Sequence, residues 1–271
     1  MQVKVNAKIN LGLNILKKRA DGFHEIESIF LPISWYDYIE VTAAEKVNFS
    51  SEGIKIPSSA DGNLCLQAYQ LLKNDFNLPP LHIHLNKQIP IGAGLGGGSA
   101  DAAFVLKAIN EKFNLQLSTP QLERYAAELG SDCVFFIQNK SALVKGRGEA
   151  IEPNEKYNPL KAYHVLMVKP DLFVSTKVAY QNVHPQLPKR PIAEIIQQPI
   201  NSWKNELVNN FESALFPIFP ELAEVKKRLY DAGAIYASMS GSGSCFFGVF
   251  ESKEIEMELF KKYLWKWVEV E

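Results

Sequence analysis

The chain has 271 residues, of which 46% are hydrophobic and 22% charged, a composition typical of a folded protein and far from that of a disordered one. Its 29 Lys and Arg residues nearly balance its 30 Asp and Glu residues, so the net charge of -1 offers no general cationic surface for a nucleic acid or an anionic membrane. The chain has three scattered Cys residues and no CxxC pair, which predicts neither a disulfide framework nor a structural zinc site. No apolar run approaches the ~18–20 residues of a membrane helix. Together these features predict a soluble, cytoplasmic protein.

The first residues alternate between apolar and polar side chains, which predicts a half-buried strand over Val3–Ile15. Further β-rich stretches follow at 25–33, 38–42 and 47–50. Residues 63–76 carry apolar side chains at helical spacing and end before Pro79 and Pro80, which cannot continue a helix. A short strand is predicted at 81–85.

The composition changes sharply at Gly92, because five of the seven residues from Gly92 to Gly98 are glycine. This loop leads into a predicted helix at 99–113. A second helix is predicted at 119–129, with Pro120 in its first turn and Gly130 at its end. The apolar run 133–138 is predicted to be a strand, and residues 145–148 the turn of a hairpin.

The later part of the chain has strand patterns at 163–168, 245–250 and 266–271, helix patterns at 201–216, 220–232 and before the final strand, and a second Gly/Ser loop at 240–244. Strands and helices are mixed without strict alternation, which favours an α+β fold over a doubly wound parallel sheet. The sequence therefore predicts two halves, residues 1–158 and 159–271.

The glycine loop satisfies GxGxxG between a strand and a helix, where backbone N–H groups and the helix dipole favour phosphate. It matches none of three familiar phosphate loops. The chain lacks the acidic residue that the dinucleotide fingerprint requires, and it has Gly98 where the P-loop has Lys. It also lacks the HRD and DFG motifs of protein kinases. Since each extra glycine costs about 0.5–1 kcal/mol of stability, we interpret the loop as a backbone cradle for a nucleotide triphosphate, with the Ser99 hydroxyl available to a phosphate oxygen or Mg²⁺.

Other candidate residues are ambiguous when taken alone. An isolated Asp132 after Gly130 is more often a capping or turn residue than a catalytic base. Lys8, on a polar strand face with Asn6 and Asn10, is more often solvated than functional.

Four ordered motifs nevertheless carry a family resemblance. The glycine loop and its flanking residues resemble the ATP motif of the superfamily named for galactokinase, homoserine kinase, mevalonate kinase and phosphomevalonate kinase. This segment consists of Pro90, Ile91, Gly92, Ala93, Gly94, Leu95, Gly96, Gly97, Gly98, Ser99 and Ala100. The other three motifs are residues 7–11 with 19–24, which precede this segment, and residues 130–134 and 240–244, which come after it. All four occur in the order expected for that family. Within it, the triple glycine and residues 20–24 are similar to members whose substrate carries a cytidine diphosphate group.

The resemblance implies a two-lobed small-molecule kinase fold with an N-terminal ATP-binding half, a C-terminal half and an active site in the cleft between them. It implies transfer of the γ-phosphoryl group of ATP, with Mg²⁺, to a hydroxyl of a cytidine diphosphate substrate in non-mevalonate isoprenoid precursor biosynthesis, by a monomer or weak homodimer. The residues it assigns are Lys8 and Asp132 as catalytic groups, Ser99 as a metal ligand, Phe23 and Tyr180 as stacking aromatics, and His24 and Asn10 beside the cytosine. One departure is Val134, which stands where the family usually has Pro.

Overall fold

The computed structural model describes residues 1–56 and 62–271. These residues form two compact units, neither of which is one continuous stretch. The first unit comprises Met1–Ala7, Trp35–Ile91 and Gly96–Asn139, and the second comprises Lys8–Ser34, Gly92–Leu95 and Lys140–Glu271. Both units combine helices with strands, which confirms the predicted α+β class.

Two long strands, β1 (Gln2–Lys18) and β2 (His24–Ala43), contribute residues to both units. In the first unit, residues 38–43 of β2 pair antiparallel with β4 (Leu81–Lys87), and β4 pairs in parallel with β3 (Asn48–Gly53). Alternate side chains of β4 are buried, as expected for a strand with one face on the core.

The helices of the first unit are α1 (Leu64–Asp75), α2 (Gly97–Lys112), α3 (Thr119–Leu129) and α4 (Ser131–Gln138). The first three confirm the predicted helices at 63–76, 99–113 and 119–129. Asn63 caps α1 by accepting a hydrogen bond from the Cys65 amide at 2.9 Å. The central helix, α2, packs against α1, α3 and α4, so the glycine loop runs into a helix that contacts the other three helices of this unit.

The second unit contains two sets of paired strands. Residues 26–30 of β2 pair antiparallel with β5 (Ala142–Gly146), which forms the predicted hairpin with β6 (Ala150–Pro153). A separate antiparallel sheet, in the order β10-β7-β9-β8, consists of β7 (His164–Lys169), β8 (Tyr236–Met239), β9 (Phe246–Phe250) and β10 (Leu264–Val268). Every residue of β8 and β9 is buried.

The helices of the second unit are α5 (Thr176–Asn182), α6 (Ile192–Ile195), α7 (Asn210–Leu215) and α8 (Pro220–Asp231). Short 3-10 helices lie at Glu155–Tyr157, Ile200–Asn205 and Met257–Phe260. The predicted helix at 220–232 is confirmed by α8, which packs its apolar face on β8 and β9.

Several predicted elements are wrong, each for a physical reason. Residues 133–138 belong to helix α4 rather than to a strand; Cys133 to Ile137 are all buried, and an uninterrupted apolar run does not reveal its period. The single helix predicted at 201–216 is broken into the 3-10 helix Ile200–Asn205 and α7, because Asn209 leaves the helical conformation to cap α7 through the Phe211 amide.

Three strand and helix boundaries also differ from prediction. The stretches 25–33 and 38–42 form one strand, β2, and the final strand lies at Leu264–Val268 rather than at 266–271. The helix predicted before it is a single 3-10 turn. The sequential boundary at residue 158 stays a prediction; residues 140–158 and 159–271 lie in the same compact unit. Among the described residues, no helix combines the length and apolar character needed to cross a membrane.

Candidate active site

The glycine loop alternates left-handed residues with residues of ordinary conformation. Gly92, Gly94 and Gly96 have φ angles of 63°, 76° and 69°, a region that side chains rarely adopt. These three glycines are therefore required by the backbone itself. Gly97 and Gly98, the first residues of α2, have helical conformations and need another explanation.

Gly98 is exposed, and a Cβ built on it would find no heavy atom closer than a Leu64 methyl at 4.0 Å. Neither conformation nor packing demands glycine at this position. The α2 N-cap, Gly96, has no side chain to occupy the first amides, and the first turn contains no acidic residue. Since the first amides of a helix have no intrahelical acceptor, the open space at Gly98 fits a phosphate group.

The second Gly/Ser loop packs directly on the glycine loop within the second unit. The Ser240 hydroxyl donates to the Gly94 carbonyl oxygen at 2.9 Å, and the Cys245 amide donates to the Ala93 carbonyl oxygen at 3.2 Å. A Cβ on Gly94 would overlap the Ser240 carbonyl oxygen. Asn209, which the sequence analysis did not single out, fixes the second loop by donating to the carbonyl oxygens of Met239 and Gly241, both at 2.8 Å.

Lys8 is buried on β1, where its Nζ donates to Asn10 Oδ1 at 2.6 Å and lies 4.4 Å from the centroid of the Phe30 ring. Its backbone amide donates to the Leu95 carbonyl oxygen at 3.0 Å, which ties the strand to the glycine loop. Asn10 Nδ2 in turn donates to the Ser28 hydroxyl at 3.0 Å. Lys8 is therefore held by its neighbours, unlike the solvated lysine that a polar strand face usually carries.

Asp132 lies in the first turn of α4, where the positive end of the helix dipole stabilises a carboxylate. It is partly buried. The next residue, Cys133, is fully buried, and burial raises the pKa of its thiol to about 12. The thiol forms a hydrogen bond with the Ser99 side chain, so the residue beside Asp132 contacts the predicted ligand of phosphate or metal.

The predicted base-binding residues form two aromatic groups in the second unit. His24 stacks on Tyr180 with ring centroids 5.0 Å apart and an interplanar angle of 27°, and Tyr180 meets Phe211 edge-on at 4.9 Å. Burial, together with the charge of Lys18, lowers the pKa of His24 below its usual 6.5, which favours the neutral imidazole.

Phe23 is 54% exposed, with the Arg147 guanidinium 4.8 Å from its ring centroid. The turn that presents it is fixed by Asp21, which accepts from the Phe23 amide at 3.1 Å and pairs with Arg19 at 3.0 Å. Arg147 was missed by the sequence analysis, because its place in a hairpin turn gives no sign that it meets residue 23.

No group of three or more His, Cys, Asp or Glu side chains that could hold a metal ion occurs in the part of the chain described here. Mg²⁺ does not require such a cage, since it is commonly held by one or two protein ligands together with substrate phosphates.

Comparison with known proteins agrees with this geometry. Residues 63–140 match the family model for the GHMP kinases N terminal domain, and residues 192–261 match that for GHMP kinases C terminal. A protein of Bacteroides fragilis (strain YCH46) named 4-diphosphocytidyl-2-C-methyl-D-erythritol kinase is 50% identical over 253 residues, which cover 92% of both chains.

Two solved structures show the same fold. A crystal structure of 4-(cytidine 5'-diphospho)-2C-methyl-D-erythritol kinase matches all of this chain and all of its own with a TM-score of 0.82 and 31% identity. The Methanococcus jannaschii mevalonate kinase matches 100% of this chain and 98% of its own with a TM-score of 0.75, at 15% identity.

Proposed function

The chain belongs to the GHMP kinase family, and from this premise we propose that it transfers the γ-phosphoryl group of ATP to the 2-hydroxyl group of 4-diphosphocytidyl-2-C-methyl-D-erythritol. The products are ADP and the 2-phosphate, and the reaction belongs to non-mevalonate isoprenoid precursor biosynthesis. The structural observation that carries the kinase assignment is the exposed, unobstructed Gly98 at the uncapped start of α2. The choice of substrate is supported by relatives that are about half identical over nearly the whole chain.

ATP is proposed to bind along residues 90–100, with its phosphates on the amides of the first turn of α2. Backbone amides suit this task because they are fixed before the ligand arrives and need no net positive charge. Ser99 would hold Mg²⁺ together with the phosphates. The metal would neutralise charge on the phosphoryl group.

Asp132 is proposed to accept or orient the proton of the substrate hydroxyl. It lies in the first turn of α4, where the N-terminal end of the helix favours a negative charge, and it is partly buried. Lys8 is proposed to stabilise negative charge on the hydroxyl or the phosphoryl group. The hydrogen bond with Asn10 holds its ammonium at one place on a rigid strand.

Cytosine is proposed to stack on Phe23 and Tyr180, with His24 reading its hydrogen-bonding edge. The stack on Tyr180 fixes the plane of the imidazole, and the lowered pKa of His24 leaves one ring nitrogen as an acceptor at neutral pH. Asn10 was also predicted to lie beside the base. Since its amide is engaged by Lys8 and Ser28, we propose that its main task is to orient Lys8.

We propose further that the protein works in the cytoplasm as a monomer or weak homodimer, without nucleic acid or membrane partners. The small number of cysteines and the balanced charge support this setting.

The direct test is to incubate the protein with ATP, Mg²⁺ and the named substrate and to follow the new phosphomonoester by phosphorus NMR. Lys8→Met and Asp132→Asn should each lower kcat by much more than tenfold, a factor that corresponds to about 1.4 kcal/mol. Lys4→Met, on the same strand, and Asp171→Asn, at an exposed position, are matched controls that should keep wild-type turnover. Turnover within tenfold of wild type in either site variant would show that the assigned role is wrong.

A further inference from the structure

A buried ion cluster lies beneath the start of α2. Lys87 lies on the core-facing side of β4, the same side as Leu81, Ile83 and Leu85. Its Nζ donates to Asp37 Oδ2 at 2.5 Å and to Asp101 Oδ2 at 2.7 Å. The three side chains are at most 4% exposed.

The two carboxylates connect Lys87 to different elements. Asp37, on β2, also accepts hydrogen bonds from the amides of Gln88 and Ile89, at 2.5 and 2.8 Å, and so fastens the end of β4 to its neighbouring strand. Asp101 belongs to α2. Within residues 1–56 and 62–271, its buried Oδ1 has no hydrogen-bond partner, so the carboxylate is fixed through its other oxygen.

Gly97 explains how closely the ammonium approaches the helix. A Cβ on Gly97 would lie 2.9 Å from Lys87 Nζ and 2.9 Å from Ile89 Cγ2, so glycine is needed here for contact rather than for conformation. Asp101 follows four residues later, which places it on the same face of the helix one turn along. Lys87 is thus held against the first turn of α2 at Gly97 and bonded to the same face at Asp101.

We propose that Asp101 is a positioning residue for nucleotide binding: its ion pair with Lys87 fixes the first turn of α2 on β4 and so holds the amides of Gly97 and Gly98 in place for the triphosphate. This inference rests on the proposed function, since it takes ATP as the ligand of the glycine loop.

Stability alone does not account for such a cluster. Well-packed apolar residues commonly stabilise a core as well as, or better than, a buried ion pair does. The ion pair between Lys87 and Asp101 instead fixes where α2 lies on β4, because the helix carboxylate must meet the ammonium at hydrogen-bond distance. Sub-ångström placement of amides is what a preorganised phosphate site requires.

Charge and positioning predict opposite results when Asp101 is neutralised. Burial raises the pKa of Asp101 to about 7, so near neutral pH the cluster carries up to one net negative charge near a site for a polyanion. Removing that charge would strengthen nucleotide binding if electrostatics alone decided the outcome. The positioning role predicts weaker binding, because the neutral amide in Asp101→Asn gives Lys87 a weaker hydrogen bond than the carboxylate does.

The test compares Asp101→Asn with Asp37→Asn, which removes the other partner of the same ammonium. Each variant leaves Lys87 with one carboxylate, so both should fold with reduced thermal stability. Binding of the ATP analogue AMP-PNP with Mg²⁺ is measured by titration calorimetry on the full chain, below the unfolding transition of each variant. KM for ATP and for the second substrate, and kcat, are measured alongside.

Asp101→Asn should raise the AMP-PNP Kd and the ATP KM about tenfold, while kcat at saturation and the KM of the second substrate stay within twofold. Asp37→Asn should keep both nucleotide constants within twofold of wild type. If Asp101→Asn does not accumulate as folded protein, Asp101→Ser, which leaves room for a water beside Lys87, takes its place with the same expectation.

An unchanged or lower AMP-PNP Kd in the Asp101 variant would overturn the proposal, and so would an equal rise in the Asp37 variant. Failure of the proposed function gives a different pattern. A wild-type chain that binds AMP-PNP but does not phosphorylate the substrate would contradict the assigned reaction, while the ratio of Kd values would still decide the role of Asp101.

Discussion

Gly98→Ala should make the protein more stable and a poorer binder of ATP. The residue is helical, and its Cβ would meet nothing closer than 4.0 Å, so the substitution adds neither strain nor overlap. Replacing glycine by alanine in a helix stabilises it by about 0.5–1 kcal/mol. For a chain of this size that corresponds to an increase in Tm of about 1–4 °C.

The added methyl group would occupy the space assigned to a phosphate. We therefore expect the KM for ATP to rise at least tenfold, a loss of about 1.4 kcal/mol of binding, while Tm without nucleotide increases. Gly233→Ala is the matched control. Its Cβ also meets nothing within 4 Å, but its φ of 94° makes alanine strained, at a cost of about 1–2 kcal/mol.

The control should therefore lower Tm and leave the KM for ATP unchanged. Differential scanning calorimetry without ligand and steady-state kinetics with varied ATP provide the two measurements. A Gly98→Ala variant whose KM for ATP stays within twofold of wild type would refute the assignment of this space to a phosphate.

Two further predictions concern the cytosine site. CMP should raise the Tm of the wild-type protein, and Phe23→Ala should remove most of this increase, because base stacking on an aromatic ring is worth about 1–3 kcal/mol. The control Phe173→Ala, at another exposed phenylalanine, should keep the increase. An equal increase in Tm in both variants would contradict a stacking role for Phe23. His24 should titrate below 6.5 by NMR, and Lys18→Gln should raise that pKa whereas Lys17→Gln should not, since burial and Lys18 are the causes of the shift. Because the pKa in the folded chain lies below that in the unfolded chain, neutral His24 contributes stability above about pH 6.5 that is lost as the pH falls, and a midpoint at or above 6.5 would contradict this reasoning.

Much of the candidate site could be predicted from local sequence. The glycine loop, the helix after it and the second Gly/Ser loop lie on short segments whose residue types determine their backbone. Gly92, Gly94 and Gly96 have positive φ angles, which residues other than glycine rarely adopt. Such features need no knowledge of distant contacts.

The residues that were missed depend on distant partners. Asp37, Lys87 and Asp101 come from two strands and a helix, and no local pattern joins them. One signal was available: Lys87 continues the buried alternation of Leu81, Ile83 and Leu85, and a lysine in that phase requires a buried partner. For α4 the opposite held, because its apolar run was so complete that strand and helix could not be distinguished.

The second unit consists of three segments that are far apart in the sequence, and this affects how the chain folds. It combines residues 8–34 and 92–95 with residues 140–271, so the early strands cannot complete their packing until the last stretch has been synthesised. Contacts between residues so far apart in sequence slow folding, because a large loop must close before they form. During synthesis, the emerging β1 would expose the apolar face that includes Leu13 and Ile15, which makes this nascent strand a site where a chaperone would be expected to bind.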